Sequence, residues 1–130
     1  MIYSKTSEVT GKFKTMDIVI LYDPKCATSR KAREFLEDEG LQPILVEFQK
    51  QPLSTDQLRI ILKLLKMGPR ALMRTKEPIY RQLGLNDPML SEGQLIQAMA
   101  AHPALIERPI VLTEDDAVLA RPADKVFNLL

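Results

Sequence analysis

The stretch "DIVILYDPKCATSRKAREFLEDEGLQPILVEF", residues 17–48, constrains the fold more than any other part of the chain. The β-branched run from Asp17 to Tyr22 reads as a buried strand, and Asp23-Pro24 breaks it. Thr28 or a neighbour can cap a helix that runs through Glu39. Its apolar positions Ala32, Phe35 and Leu36 fall at helical spacing, and Gly40 sits where a left-handed C-terminal cap belongs. Pro43 to Phe48 then reads as a second strand. Strand, helix and strand joined by such short loops form a βαβ unit, whose two strands lie parallel in one sheet. An α/β fold follows.

The later sequence adds helices and then closes the sheet. Ser54-Thr55-Asp56 opens a helix with an apolar stripe of Leu58, Ile61, Leu62 and Leu65, ending near Gly68-Pro69. The segments "PRALMR", "PIYRQLG" and "SEGQLIQAMAAHP" are each bounded by Pro or Gly, so Pro69 to Pro103 is expected to be a helical insertion without a strand. "RPIVLTEDDAVLARP" reads as two strands around a turn at Glu114-Asp115-Asp116. Pro122 then starts a last helix with Val126 and Leu129 facing inward. The expected order is β-α-β, helices, β-β-α. Residues 1–16 are polar and mixed and read as an extension, with residues 17–130 as a single domain. A chain of 130 residues with 45% apolar and 27% charged content can bury a core without metal or disulfide staples.

A net charge of +1 argues against broad electrostatic binding to nucleic acid or an anionic membrane and leaves room only for a local anion site. No apolar run approaches membrane-spanning length. A single cysteine cannot form an internal disulfide, and the N-terminus lacks the apolar core of a secretion signal; both favour a reducing, cytoplasmic setting. Met67, Met73, Met89 and Met99 read as core packing among apolar neighbours. His102, before Pro103 at a helix end, reads as a C-terminal cap or loop residue.

Cys26 is that single cysteine. A thiolate is the reactive species, and an ordinary thiol is mostly protonated near neutrality unless its surroundings lower its pKa. Cys26 lies at the C-terminal edge of a parallel strand, ahead of a helix whose unpaired N–H groups favour negative charge. Ligands of α/β sheets bind at that edge. Arg30 is one turn further on and can reach toward the sulfur or toward an anion beside it; Ser29 and Thr28 add hydroxyl donors. The neighbours Asp23, Pro24, Lys25, Thr28, Ser29 and Arg30 make a polar turn, a poor place for a cysteine that merely fills a core.

Four motifs in order, "YDPKCATSRKAREFLEDEG", "RALMRTKEPIYRQLGL", "HPALIERPIVL" and "AVLARP", resemble the glutaredoxin-dependent arsenate reductases of the thioredoxin superfamily. The likeness spans nearly everything from Asp17 to Leu130. It implies a thioredoxin-like mixed four-stranded sheet with a helical insertion between its βαβ and ββα halves. It places the catalytic nucleophile on Cys26 and the three oxyanion-binding arginines on Arg74, Arg108 and Arg121, with Ser29, Arg30 and Tyr22 in supporting positions. The Arg108-Pro109 bond resembles the cis-proline turn of such folds. Taken alone, these arginines also suit ordinary ion pairs such as Arg108 with Glu107 or Arg74 with Glu77.

By this resemblance the protein reduces arsenate to arsenite with no bound cofactor and no metal. Glutathione serves as co-substrate and glutaredoxin as protein partner, and the chain is expected to act as a monomer. Many family members carry histidine where this chain has Tyr22, and often asparagine where it has Asp23. A neutral phenol cannot supply the histidine's charge, and Asp23 adds a negative one. Either Arg30, Lys25 and the helix terminus hold the thiolate, or Cys26 titrates higher and turnover is slow. The same superfamily branch contains Spx-like regulators that bind RNA polymerase. In "CATSRKAR" Ser29 stands where a redox pair needs its second cysteine, which excludes a disulfide switch there. A related thiol oxidoreductase with another substrate is a third reading.

Overall fold

The computed structural model describes residues 17–130; the expected extension at residues 1–16 lies outside the described residues. The chain divides into two compact units. One carries residues 17–51 together with Arg108–Leu130, and the other is Pro52–Glu107.

The first unit holds the sheet. Strand β1 (Val19–Leu21) leads into helix α1 (Ala27–Asp38) and strand β2 (Ile44–Val46). β1 and β2 pair in parallel, Val19 opposite Ile44 and Leu21 opposite Val46. This is the βαβ unit read from the sequence. After the second unit the chain returns as β3 (Ile110–Leu112) and β4 (Ala117–Leu119), giving a mixed four-stranded sheet of order β2-β1-β3-β4. β3 runs antiparallel to both β1 and β4. All three residues of β1 are fully buried, as a central strand covered on both faces requires.

On one face Ile20, Tyr22, Val111 and Ala120 pack with Ala32 and Leu36 of α1 and with Ala123 and Val126 near the C-terminus. Those last two belong to a 3-10 helix, Ala123–Leu129, for which Pro122 is the N-cap residue. The last helix expected from the sequence is therefore of the tighter type and begins one residue after the proline. Its Phe127 ring lies 5.2 Å from that of Phe35, tilted, a favourable aromatic arrangement.

α1 ends as its sequence dictates. The Leu41 N–H donates to the Leu36 carbonyl and the Gly40 N–H to that of Glu37, a Schellman pair that uses Gly40 at φ +82°. A Cβ added at Gly40 meets nothing within 4 Å, so the penalty for alanine is purely conformational. Gly40→Ala is expected to cost about 1 kcal/mol, read as a lowered Tm with activity unchanged.

The second unit is helical. Helix α2 (Thr55–Leu65) buries Leu58, Ile61 and Leu62 and starts with a reciprocal capping box between Ser54 and Gln57. Short helices α3 (Pro69–Leu72) and α4 (Pro78–Gln82) precede α5 (Glu92–Ala101), which Ser91 and Gln94 cap in the same way. α2 ends at Lys66 in the left-handed conformation rather than at Gly68. His102 is the C-cap residue of α5, its N–H donating to the Ala98 carbonyl.

As expected, no strand lies between Pro69 and Pro103 among the described residues; an isolated antiparallel bridge joins Met73 to Ile106. One expectation needs correction in this unit. Met99 and Met73 are buried, but Met89 is 86% exposed. It sits in a turn that Asp87 organises by accepting the Met89 N–H, which holds the side chain outside any core.

Candidate active site

Cys26 is a free, half-buried thiol at the N-cap position of α1, in extended conformation (φ −94°, ψ 120°). Thr28 does not cap the helix; the cysteine itself occupies that place. The preceding loop is tied down by its own polar groups. Asp23 accepts the Lys25 N–H on Oδ1 (3.0 Å), the Cys26 N–H donates to the Asp23 carbonyl (3.0 Å), and the Asp23 N–H meets Ser29 Oγ (3.4 Å). Ser29 is completely buried on α1. Arg30 turns back and donates from Nη1 to the Pro24 carbonyl (2.8 Å), so it braces the loop rather than the sulfur.

The thiol of Cys26 titrates below its ordinary range. Burial pushes it up, and this is outweighed by the Ser29 N–H, the Ser29 hydroxyl, the Thr28 N–H and the Arg121 guanidinium, in that order of influence. Arg121 Nη1 lies 3.8 Å from Sγ. The open N–H groups at the start of α1 therefore supply the electrostatic help expected there. Iodoacetamide alkylation against pH is expected to show a midpoint below that of an unperturbed thiol. Ser29→Ala should move it up further than Arg121→Ala does. An ordinary midpoint in the wild type, or the reverse order of variants, would contradict this account.

Two of the three candidate arginines lie together in the first unit. The β3–β4 pairing, Ile110 opposite Leu119, extends outward to bring Arg108 and Arg121 side by side. Arg121 Nη1 donates to the Arg108 carbonyl at 2.9 Å. Both arginines precede cis prolines, Pro109 and Pro122; the sequence left the isomer of the first open and gave no sign of the second. Arg108 is only 7% exposed. Its ion-pair partner is not the adjacent Glu107 but Asp23, with Nη2 at 3.1 Å and Nε at 3.3 Å from Oδ2. The Phe48 ring lies 5.8 Å from the guanidinium carbon.

Arg74 belongs to the second unit. There Nη1 donates to Glu107 Oε1 at 2.6 Å, Nε lies 3.7 Å from Glu77 Oε2, and its backbone N–H donates to the Leu105 carbonyl. Its part in anion binding rests on the resemblance.

Tyr22 sits in the core cluster beneath α1, where a large ring fills space among Ile20, Ala32 and Leu36. Its phenol is close enough to the exposed Arg33 to join Glu37 in favouring that guanidinium's charged form.

The sequence reading missed the partners of Arg108. Asp23 had been read only as an adverse charge near the thiol, whereas it is neutralised by Arg108 and also approached by Gln49 Nε2 at 3.4 Å. The antiparallel register of β1 and β3 makes the pair: Leu21 opposite Ile110, continued outward by two residues, sets Asp23 opposite Arg108.

Among the described residues no helix is long and apolar enough to cross a membrane. A sequence model of the ArsC family matches residues 21–129. An arsenate reductase of Haemophilus influenzae is 38% identical over 116 residues, covering 88% of this chain and all of the relative. The uncharacterized protein YfgD of Escherichia coli K12 is 39% identical over 117 residues, covering 89% of this chain and 98% of the relative. Among solved structures, an arsenate reductase from Vibrio cholerae superposes with a TM-score of 0.86 at 38% identity, covering 90% of this chain and all of that one. The α/β fold is thioredoxin-like. With the family model spanning most of the sequence and relatives aligned along their full length, this chain belongs to the ArsC family.

Proposed function

We propose that this protein reduces arsenate to arsenite with Cys26 as nucleophile, glutathione as co-substrate and glutaredoxin as the regenerating partner, residues 17–130 acting as one domain. The observation that carries the reading is a thiol with a lowered pKa at the start of α1, 3.8 Å from an arginine. The names of the relatives from Haemophilus influenzae and Vibrio cholerae support arsenate as substrate.

In this scheme the Cys26 thiolate forms an S–As bond while an As–O bond breaks and the oxygen leaves as water. Arg108 and Arg121 hold the remaining oxygens through planar donor pairs that suit a tetrahedral anion. Glutathione forms a second S–As bond as another As–O bond breaks, and that oxygen leaves as water with the glutathione thiol proton. Glutaredoxin's thiolate takes up that glutathione sulfur as a mixed disulfide, and the electron pair of the broken S–As bond stays on arsenic, now As(III). Water then releases arsenite and restores the Cys26 thiol. An outside thiol suits a chain with one cysteine, which has no resolving partner of its own. No bound cofactor takes part.

The test is arsenite release with glutathione and glutaredoxin supplied together and singly. Release that requires both supports the scheme. Absence of release under every combination sinks it, and specific retention on the RNA polymerase α-subunit would then favour the Spx-like alternative.

A further inference from the structure

The Asp23–Arg108 pair has a consequence for what the site will accept. Arg108 directs two of its donors, Nε and Nη2, to a single carboxylate oxygen. That carboxylate also receives the Lys25 N–H and the Gln49 amide. Its surroundings of a guanidinium fork, a backbone N–H and a neutral amide are those that recognise one edge of an oxyanion. The carboxylate is supplied by the same loop as Cys26. Both partners are largely buried, with side chains 9% and 14% exposed, and Phe48 lies beside the guanidinium.

We propose that Asp23 is an internal occupant of the anion site, a positioning residue acting through Arg108, which weakens the site's hold on dianionic tetrahedral oxyanions more than on monoanionic ones. This rests on the reading of Arg108 as an oxyanion-binding residue. An incoming anion that engages Arg108 shares the guanidinium with Asp23, and it then lies near a carboxylate of its own sign. Like charges at that range repel in proportion to the charge brought in, so a dianion meets about twice the opposition of a monoanion. Asparagine at position 23 removes the charge and keeps an oxygen that can still accept from Arg108.

The experiment measures how sulfate, a dianion, and perrhenate, a monoanion of the same shape, slow iodoacetamide alkylation of Cys26 in wild type, Asp23→Asn and Asp23→Glu. In Asp23→Asn the half-protecting sulfate concentration should fall roughly tenfold or more, the scale of one nearby like charge removed from a partly screened site. Perrhenate protection should change much less, and Asp23→Glu should keep the wild-type preference. For arsenate, Asp23→Asn should lower KM with little change in kcat. Equal or weaker sulfate protection in Asp23→Asn overturns the proposal.

If Asp23→Asn loses its cooperative melt, the wild type still decides. The Arg108 Nε–H resonance should move as sulfate saturates protection, and a fixed resonance at full protection overturns the idea. Arsenate turnover with unchanged Asp23→Asn protection defeats this inference alone. Gained protection without turnover in either form supports it and defeats the reductase reading.

Discussion

Replacing Cys26 with serine is expected to reduce arsenite release to background, a loss of at least about a thousandfold, because an alcohol at this position has no accessible anion and no route to an S–As bond. The fold should survive. The position is half-buried and lies at the start of α1 outside the core cluster, and serine is itself a favoured N-cap residue. A Tm equal to or above that of the wild type, combined with lost turnover, separates chemistry from folding. Turnover close to wild type in Cys26→Ser would mean that the sulfur is not the attacking group.

The second large effect concerns stability. Arg108→Ala leaves the Asp23 carboxylate largely buried without its guanidinium, and breaking such a pair from one side costs about 3 kcal/mol or more. For a chain of this size that lowers Tm by about 10 °C. Arsenate KM should rise in the same variant. The double variant Asp23→Asn with Arg108→Ala should recover a good part of the lost stability, because no uncompensated charge is then left inside. Recovery of stability without recovery of KM would distinguish the two duties of Arg108; a single variant as stable as wild type would show that the pair contributes little.

Local chemistry made much of this molecule legible. Gly40, the Ser54 cap and Gly/Pro punctuation carry their structural consequences within a few residues, so α1, α2 and α5 could be read directly. The strands were read in the right places but longer than they pair, since the ladder stops where neighbouring chains diverge while the apolar run continues. Cys26 stood out because a strand edge and a helix start are local signals, whereas Arg108 and Arg121 were marked only by the family resemblance.

The Asp23–Arg108 bond was not, because it joins residues 85 positions apart and nothing near either residue encodes the other. Arg30 misled for a related reason. Helical spacing placed it one turn from the sulfur, but the Pro24 carbonyl, left without a partner by the turn, captured its guanidinium. Met89 shows the limit of composition, since an apolar side chain in a turn fixed by Asp87 has nowhere to pack.

The cysteine at the head of α1 ties the chemistry to the helix that bears it. No oxygen caps this terminus, and the amides of Thr28 and Ser29 find their anion in the sulfur itself. Because ionisation is easier in the folded chain, this interaction supports the fold fully above the titration range of an unfolded thiol and fades as pH falls through the folded one. Any bond made to the sulfur discharges it, so each catalytic cycle would slacken the first turn while arsenic is aboard and tighten it again upon release.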